Sequence, residues 1–165
     1  MKAVLQRVKY ANVVIDGVKT AGIGPGILVL LGVKDGDTEA ECDVIAAKLP
    51  KLRIFSDADD KMNLSVADIG GEILVVSNFT LCAETRRGNR PDFFPAARPE
   101  VAEPLYERAV ASLRSVLGEA RVKTGVFGAD MKLELLNDGP VTLILDSAEL
   151  TAPKNKKSEG EGRTP

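Results

Sequence analysis

The sequence contains no histidine. That absence removes Ser-His-Asp and Cys-His catalysis, histidine general bases and the commonest metal ligand together. Chemistry in this chain must use carboxylates, hydroxyls, a thiol, backbone groups or the substrate itself. Tryptophan is also absent and the aromatics are five Phe and two Tyr, so the core must be built mostly of Val, Leu, Ile and Ala. Cys42 and Cys82 are the only cysteines, and without Cys-x-x-Cys spacing they do not form a zinc site. They are expected to be reduced core thiols in a cytoplasmic protein. No apolar run approaches the ~20 residues of a membrane span, and Met1-Lys2-Ala3-Val4-Leu5-Gln6-Arg7 turns polar too early for a signal peptide. The expectation is a protein with no metal, no cofactor and no membrane partner.

What is present fits one soluble domain: 165 residues, 44% hydrophobic and 28% charged. The formal charge of −2 argues against a protein that coats long nucleic acid, DNA included. Residues 151–165 hold Lys154, Lys156, Lys157 and Arg163 against Glu159 and Glu161, so the body is more acidic than the whole. A grip on RNA would have to be local. This Lys-, Ser-, Glu-, Gly- and Pro-rich stretch has nothing to bury and is expected to be a disordered tail behind a domain spanning 1–150.

Residues 1–10 and 12–23 read as a hairpin or meander, with Asp16-Gly17 as a short-turn signal. Ile27-Leu28-Val29-Leu30-Leu31 and Ile73-Leu74-Val75-Val76 are continuous apolar runs, as in strands buried on both faces. Thr38-Glu39-Ala40-Glu41 matches a capping box, followed by Cys42, Ile45, Ala46 and Leu49 at helical spacing and by Pro50. Leu52-Arg53-Ile54-Phe55 is read as a short strand. Asp57-Ala58-Asp59-Asp60 has Met62 where a calcium loop needs Gly and no Glu at its twelfth position, so it is read as a turn. Pro99 opens a second helix with Val101, Leu105, Ala109, Leu113, Val116 and Leu117 as its apolar stripe, closed by Gly118. Strands 131–135 and 141–146 alternate, and Asn137-Asp138-Gly139-Pro140 is expected to turn between them. The pattern predicts an α+β fold with a mainly antiparallel, barrel-like sheet and two principal helices.

Two segments are polar where plain strand is expected. Ser77-Asn78-Phe79-Thr80 is either a strand end whose hydroxyls cap backbone groups or a pocket floor with hydroxyls and free N–H groups. Asn137-Asp138-Gly139-Pro140-Val141-Thr142 is either an ordinary turn or a place where a cis X-Pro bond points neighbouring carbonyls one way, suiting an ammonium group. Between them, residues 83–98 form a basic, non-periodic loop with Arg86, Arg87, Arg90 and Arg98. That loop is a solvated surface or a phosphate contact.

Together, Ser77-Asn78-Phe79-Thr80-Leu81 and Asn137-Asp138-Gly139-Pro140-Val141-Thr142 resemble the two signature motifs of the D-aminoacyl-tRNA deacylases, the D-tyrosyl-tRNA deacylase family. The likeness runs from Met1 to about Leu150, through Leu52-Arg53-Ile54-Phe55, Lys61-Met62-Asn63, Arg90-Pro91 and Phe127-Gly128-Ala129-Asp130-Met131. One departure is Asn78, where the family usually has Gln; the shorter amide alters pocket depth or a hydrogen bond. The resemblance implies a homodimer acting on the acceptor end of aminoacyl-tRNA, with the Gly139-Pro140 loop of one subunit entering the other's pocket. It implies that the loop carbonyls hold the α-amino group, that a cis peptide fills the space of an L side chain, and that Arg7 fixes the loop. Ser77, Phe79 and Thr80 would line the catalytic pocket, with backbone N–H groups near the ester carbonyl; Asn78, Met131 and Asn137 would join substrate binding. The resemblance further implies that the ribose 2′-hydroxyl assists the attack, with Thr80 as a covalent nucleophile the rival mechanism. From another class, a non-catalytic RNA-binding module has weak support because base-stacking aromatics are few. Hydrolysis of another activated ester is a third reading.

Overall fold

The computed structural model describes residues 1–153; of the tail expected to be disordered, 151–165, residues 154–165 lie outside the described residues. Eight strands and three α-helices follow in the order β1 (Lys2–Ile15), β2 (Val18–Ile23), β3 (Gly26–Gly32), α1 (Glu39–Lys48), β4 (Phe55–Ser56), β5 (Met62–Leu64), β6 (Glu72–Ser77), α2 (Pro99–Leu117), β7 (Val122–Thr124), β8 (Lys132–Asp146) and α3 (Ser147–Thr151). The expected hairpin forms at Asp16 and Gly17, both at positive φ (50° and 77°), which suits a two-residue turn between twisted strands. β1 runs through Ala11 without the break that the meander reading placed there.

The main sheet has the order β2-β1-β3-β6-β7, with β8 pairing along β1. β2 returns to β6 and β7, so the sheet nearly closes into a barrel. The sheet is mixed, which corrects the mainly antiparallel expectation: β1 pairs antiparallel with β2, β3 and β8, but β3–β6 and β6–β7 are parallel. The physical signal was the pair of uninterrupted apolar runs. A strand covered on both faces suits a crossover connection, and here α1 lies in the connection between β3 and β6. Alternate residues of β3 and β6 face opposite ways: Ile27, Val29, Ile73 and Val75 pack against the helices, while Leu28, Leu74 and Val76 fill the other face with Val8, Val13 and Ile23.

The capping box forms as expected. Thr38 Oγ1 accepts from the Ala40 N–H and Glu41 reaches back to the Thr38 N–H at 2.8 Å, and Cys42, Ile45, Ala46 and Leu49 are buried. α2 starts at Pro99 and stops at Gly118, whose φ is 91°. Its buried face is rotated from the expected stripe: Val101 and Val116 are exposed, while Ala102, Tyr106 and Val110 are buried. The expected strand 52–55 shrinks to β4, which forms a two-stranded ribbon with β5 around the Asp57 turn. α3 was not anticipated, and it carries regular structure one residue past the expected domain end at 150. Among the described residues, no helix is long and apolar enough to cross a membrane.

The two segments read as strand 131–135, turn and strand 141–146 are one element. β8 is continuous and pairs with β1 from Lys132 to Asp146. The ladder register jumps between Gln6↔Thr142 and Val8↔Asn137, so residues 138–141 bulge out opposite Arg7 alone. Proline cannot donate to a ladder, and a bulge is where a strand tolerates it.

Candidate functional site

The parallel strands β3 and β6 end side by side, with Leu31 paired to Ser77. The next residue, Asn78, still donates its N–H to the Leu31 carbonyl at 2.8 Å. The chain then leaves the sheet as a 3-10 turn, Phe79–Cys82, directly after the strand end that the sequence placed here. Asn78 caps that turn: its Oδ1 accepts from the Thr80 N–H at 3.2 Å and from the Thr80 hydroxyl at 2.6 Å. Gly32 makes room for this, because a β-carbon there would lie 2.9 Å from the Asn78 carbonyl. The Phe79 N–H sits at the first position of the turn and has no acceptor within it.

Over this corner opens a cavity of about 690 Å³, of small-molecule size. Ser77, Asn78, Phe79 and Met131 all line it. Met131 is set there by Gly125, since a β-carbon on Gly125 would meet the Met131 sulfur at 2.5 Å. Thr80 lies at the edge of this corner, exposed, with its hydroxyl committed to Asn78. The cavity is mostly apolar. Its aromatic lining is Phe79, Phe93, Tyr106 and Phe127, with the Phe79 and Phe93 rings edge to face at 5.2 Å. The sequence reading named neither Phe93 nor Tyr106 as a site residue. The usable signal was scarcity: among seven aromatics, four converge on one cavity.

The cavity offers acid–base chemistry little. Its titratable lining is Asp130 and Tyr106. Asp130 is exposed and paired with Lys132 at 2.9 Å. The Tyr106 hydroxyl donates to the Val75 carbonyl at 2.9 Å, and burial pushes its pKa up to about 12. Neither cysteine lines the cavity: Cys42 donates to the Leu105 carbonyl and Cys82 to that of Val33. Burial raises both thiols, Cys42 to about 11, so neither is a thiolate nucleophile near neutral pH. An amide oxygen cannot take a proton from Thr80, so the hydroxyl has an anchor in Asn78 and not a base.

The remaining sequence-selected residues gather elsewhere. In the β8 bulge, the Gly139-Pro140 bond is cis, and Asn137, Gly139 and Pro140 are exposed. Arg7, only 13% exposed, donates Nε to the Asp138 carbonyl at 3.0 Å and Nη1 to the Ile54 carbonyl at 2.5 Å. The Asp138 carboxylate lies 3.5 Å from Arg7 Nε and 3.2 Å from Lys9 Nζ. One arginine thus ties the bulge to Ile54, the residue just before β4, while the bulge itself faces outward. None of Arg7, Asn137, Gly139 and Pro140 lines the cavity of their own chain.

The comparison with known proteins matches this arrangement to one family. The family model described as D-Tyr-tRNA(Tyr) deacylase matches residues 4–146. The chain is 51% identical over 147 residues to a D-aminoacyl-tRNA deacylase of Flavobacterium johnsoniae, covering 89% of this chain and 97% of that protein. It is 52% identical over 158 residues to a D-aminoacyl-tRNA deacylase of Chloroflexus aurantiacus, covering 96% and 98%. Among solved structures, a protein named c-Myc DNA Unwinding Element Binding Protein superposes with a TM-score of 0.85 at 43% identity, covering 88% of this chain and 98% of that one. A probable eukaryotic D-amino acid tRNA deacylase shares the fold, with a TM-score of 0.73 at 19% identity and the same coverage.

Proposed function

This chain belongs to the D-Tyr-tRNA(Tyr) deacylase family, and from that premise we propose that it hydrolyses the ester of D-aminoacyl-tRNA, releasing the amino acid and tRNA as a proofreading step in the cytoplasm. The observation that carries the reading is the pairing of a mostly apolar, aromatic cavity with a separate, exposed loop that Arg7 holds in place. The terminal adenosine suits the cavity: Phe79, Phe93 and Phe127 offer apolar and stacking surface, and the Ser77 and Asn78 side chains offer polar contacts. The ester carbonyl would lie toward the Phe79 N–H and its neighbours, which serve as the oxyanion donors.

An aminoacyl ester is already activated, and the ribose carries a hydroxyl next to it. With no base beside Thr80, water assisted by that 2′-hydroxyl is the mechanism this site favours; the protein contributes positioning and an oxyanion environment. Thr80 and Asn78 act together as the frame of the turn.

Selection is assigned to the Gly139-Pro140 loop of a second subunit. The loop is exposed and lies outside its own cavity, and β8 presents Leu136 and Ile144 at 51% and 70% exposure, with Tyr10 at 44% beside Leu136 in the ladder. Such an apolar sheet face suits burial against a second copy, giving a homodimer with cross-subunit sites. The loop carbonyls would take the α-ammonium and leave no space for an L side chain. Glycine has no side chain to exclude, so glycyl-tRNA(Ala) falls within the substrate range.

The test is ester loss from matched D- and L-tyrosyl-tRNA. Rapid cleavage of the D ester alone supports the reading, whereas equal rates on both, or none, would overturn it.

A further inference from the structure

We propose that Phe94, with Arg87 and Arg90, forms a binding surface for the single-stranded RNA immediately preceding the terminal adenosine; the proposal rests on the deacylase reading of the adjoining cavity. Phe55 is in the core, while Phe79, Phe93 and Phe127 line the cavity. Phe94 is the exception. Its side chain is 88% exposed, the highest value among the exposed large hydrophobic residues described.

The backbone that presents Phe94 is held on both sides. Glu84 and Asp92 exchange backbone hydrogen bonds at 2.8 and 2.9 Å, and Asp92 Oδ1 accepts from the Phe94 N–H at 2.9 Å. After it, the Pro95 carbonyl accepts from the Asp35 N–H at 2.9 Å and the Ala97 N–H donates to the Val33 carbonyl at 3.0 Å. The preceding residue, Phe93, lines the cavity, as do Ala96 and Ala97. Phe94 is therefore fixed at the cavity's rim with its ring in solvent.

The charge carried by the same loop decides the partner. The Glu84–Asp92 clamp closes a tip that carries Arg86, Arg87 and Arg90, all exposed. Arg86 is engaged by Glu84 at 3.6 Å, but among the described residues no carboxylate pairs with Arg87 or Arg90. An exposed aromatic ring on the same loop as uncommitted guanidinium groups fits an unpaired base and its phosphates. A second protein copy is assigned instead to the exposed apolar residues of β8, Leu136 and Ile144. If the cavity holds the last nucleoside of a tRNA, the next unpaired bases must pass its rim.

Two substrates separate this surface from the chemistry: D-tyrosyl-tRNA, and 3′-O-(D-tyrosyl)adenosine, which lacks the preceding nucleotides. Phe94→Ala should lower kcat/KM on the tRNA about tenfold or more, the size of one lost base–aromatic stack. It should leave the adenosine ester within about twofold, and Phe94→Trp should restore the tRNA rate. The double variant R87A/R90A should flatten the slope of log(kcat/KM) against log[salt] on tRNA by about 1.4, at about 0.7 per single-strand phosphate contact. An uncharged hairpin RNA with a single-stranded CCA end gives a readout without catalysis, by fluorescence anisotropy. If the wild type binds this RNA and F94A weakens it tenfold while neither ester is cleaved, the surface stands and the deacylase reading fails. If esters are cleaved but F94A affects both substrates equally, or neither, the surface is wrong. Dissociation of the oligomer by F94A, read by sedimentation, would instead assign Phe94 to a protein interface and overturn the proposal.

Discussion

At the scale of single residues, Asn78 does the organising. Its side chain accepts from both the backbone and the hydroxyl of Thr80, which fixes the turn that faces the cavity. Asn78→Ala removes both bonds, and turnover of D-tyrosyl-tRNA should fall about tenfold through misplacement of the oxyanion donors, within the range for one such donor or less. Thr80→Val keeps the shape and loses only the hydroxyl, so kcat should fall by less than about tenfold. Loss of kcat by ~10⁴ or more with KM unchanged would make Thr80 the nucleophile. Gly139 is constrained differently. Its φ is 130°, and a β-carbon would sit 2.9 Å from both the Val141 nitrogen and Cγ2. Gly139→Ala should distort the loop at a cost of about 1–3 kcal/mol, detected as a smaller D-to-L rate ratio. Arg7 as the residue that fixes the loop was implied only by the family resemblance, because it meets Asp138 across 131 positions of chain and no local pattern reports a contact of that separation.

At the scale of elements, local chemistry was the legible part. The Thr38/Glu41 box, the Asp16-Gly17 turn, and the Pro99 and Gly118 limits of α2 are set by neighbours in sequence, and each forms as read. Thr38→Ala should lower stability by about 1 kcal/mol, a Tm drop of about 2–4 °C in a chain of this size. Leu113→Ala, in the buried face of α2, should cost about 2–5 kcal/mol; calorimetry reads both. What failed were inferences that depend on distant partners. The apolar runs of β3 and β6 were correctly read as doubly covered, yet their parallel pairing depends on the crossover through α1. Gly139-Pro140 carries the local signature of a turn, but β1 is long enough to pair on both sides of it, and that makes it a bulge within one strand. Val101 and Val116 satisfied helical spacing but lie near the two ends of α2 and are exposed.

At the scale of the whole molecule, the missing histidine has a thermodynamic signature. The side chain of Asn63 holds the Asp57 carboxyl below its ordinary pKa, and the Ser65 hydroxyl does the same for Asp68. At Asp146 burial pushes upward, but the Ala148 N–H and Lys34 outweigh it and the net direction is down. A carboxylate with a depressed folded pKa contributes stability that is complete above its unfolded pKa, near about 4, and is lost as pH falls through the folded value. The urea midpoint should therefore be flat from about pH 6.5 to 5 and decline below about pH 4. A decline beginning near pH 6 would require a histidine-like group that the chain does not have.

We propose that the turn after β6 positions the ester while the β8 bulge, latched by Arg7, chooses the hand of the substrate. The most direct measurement is kcat/KM on D- and L-tyrosyl-tRNA, side by side, for the wild type and Arg7→Ala. The wild-type ratio should be at least about a hundredfold, equivalent to about 2.7 kcal/mol of discrimination. In the variant it should collapse because the L ester is now cleaved, while the D rate falls less. A wild-type ratio near one, or a ratio that Arg7→Ala leaves unchanged, would contradict the claim.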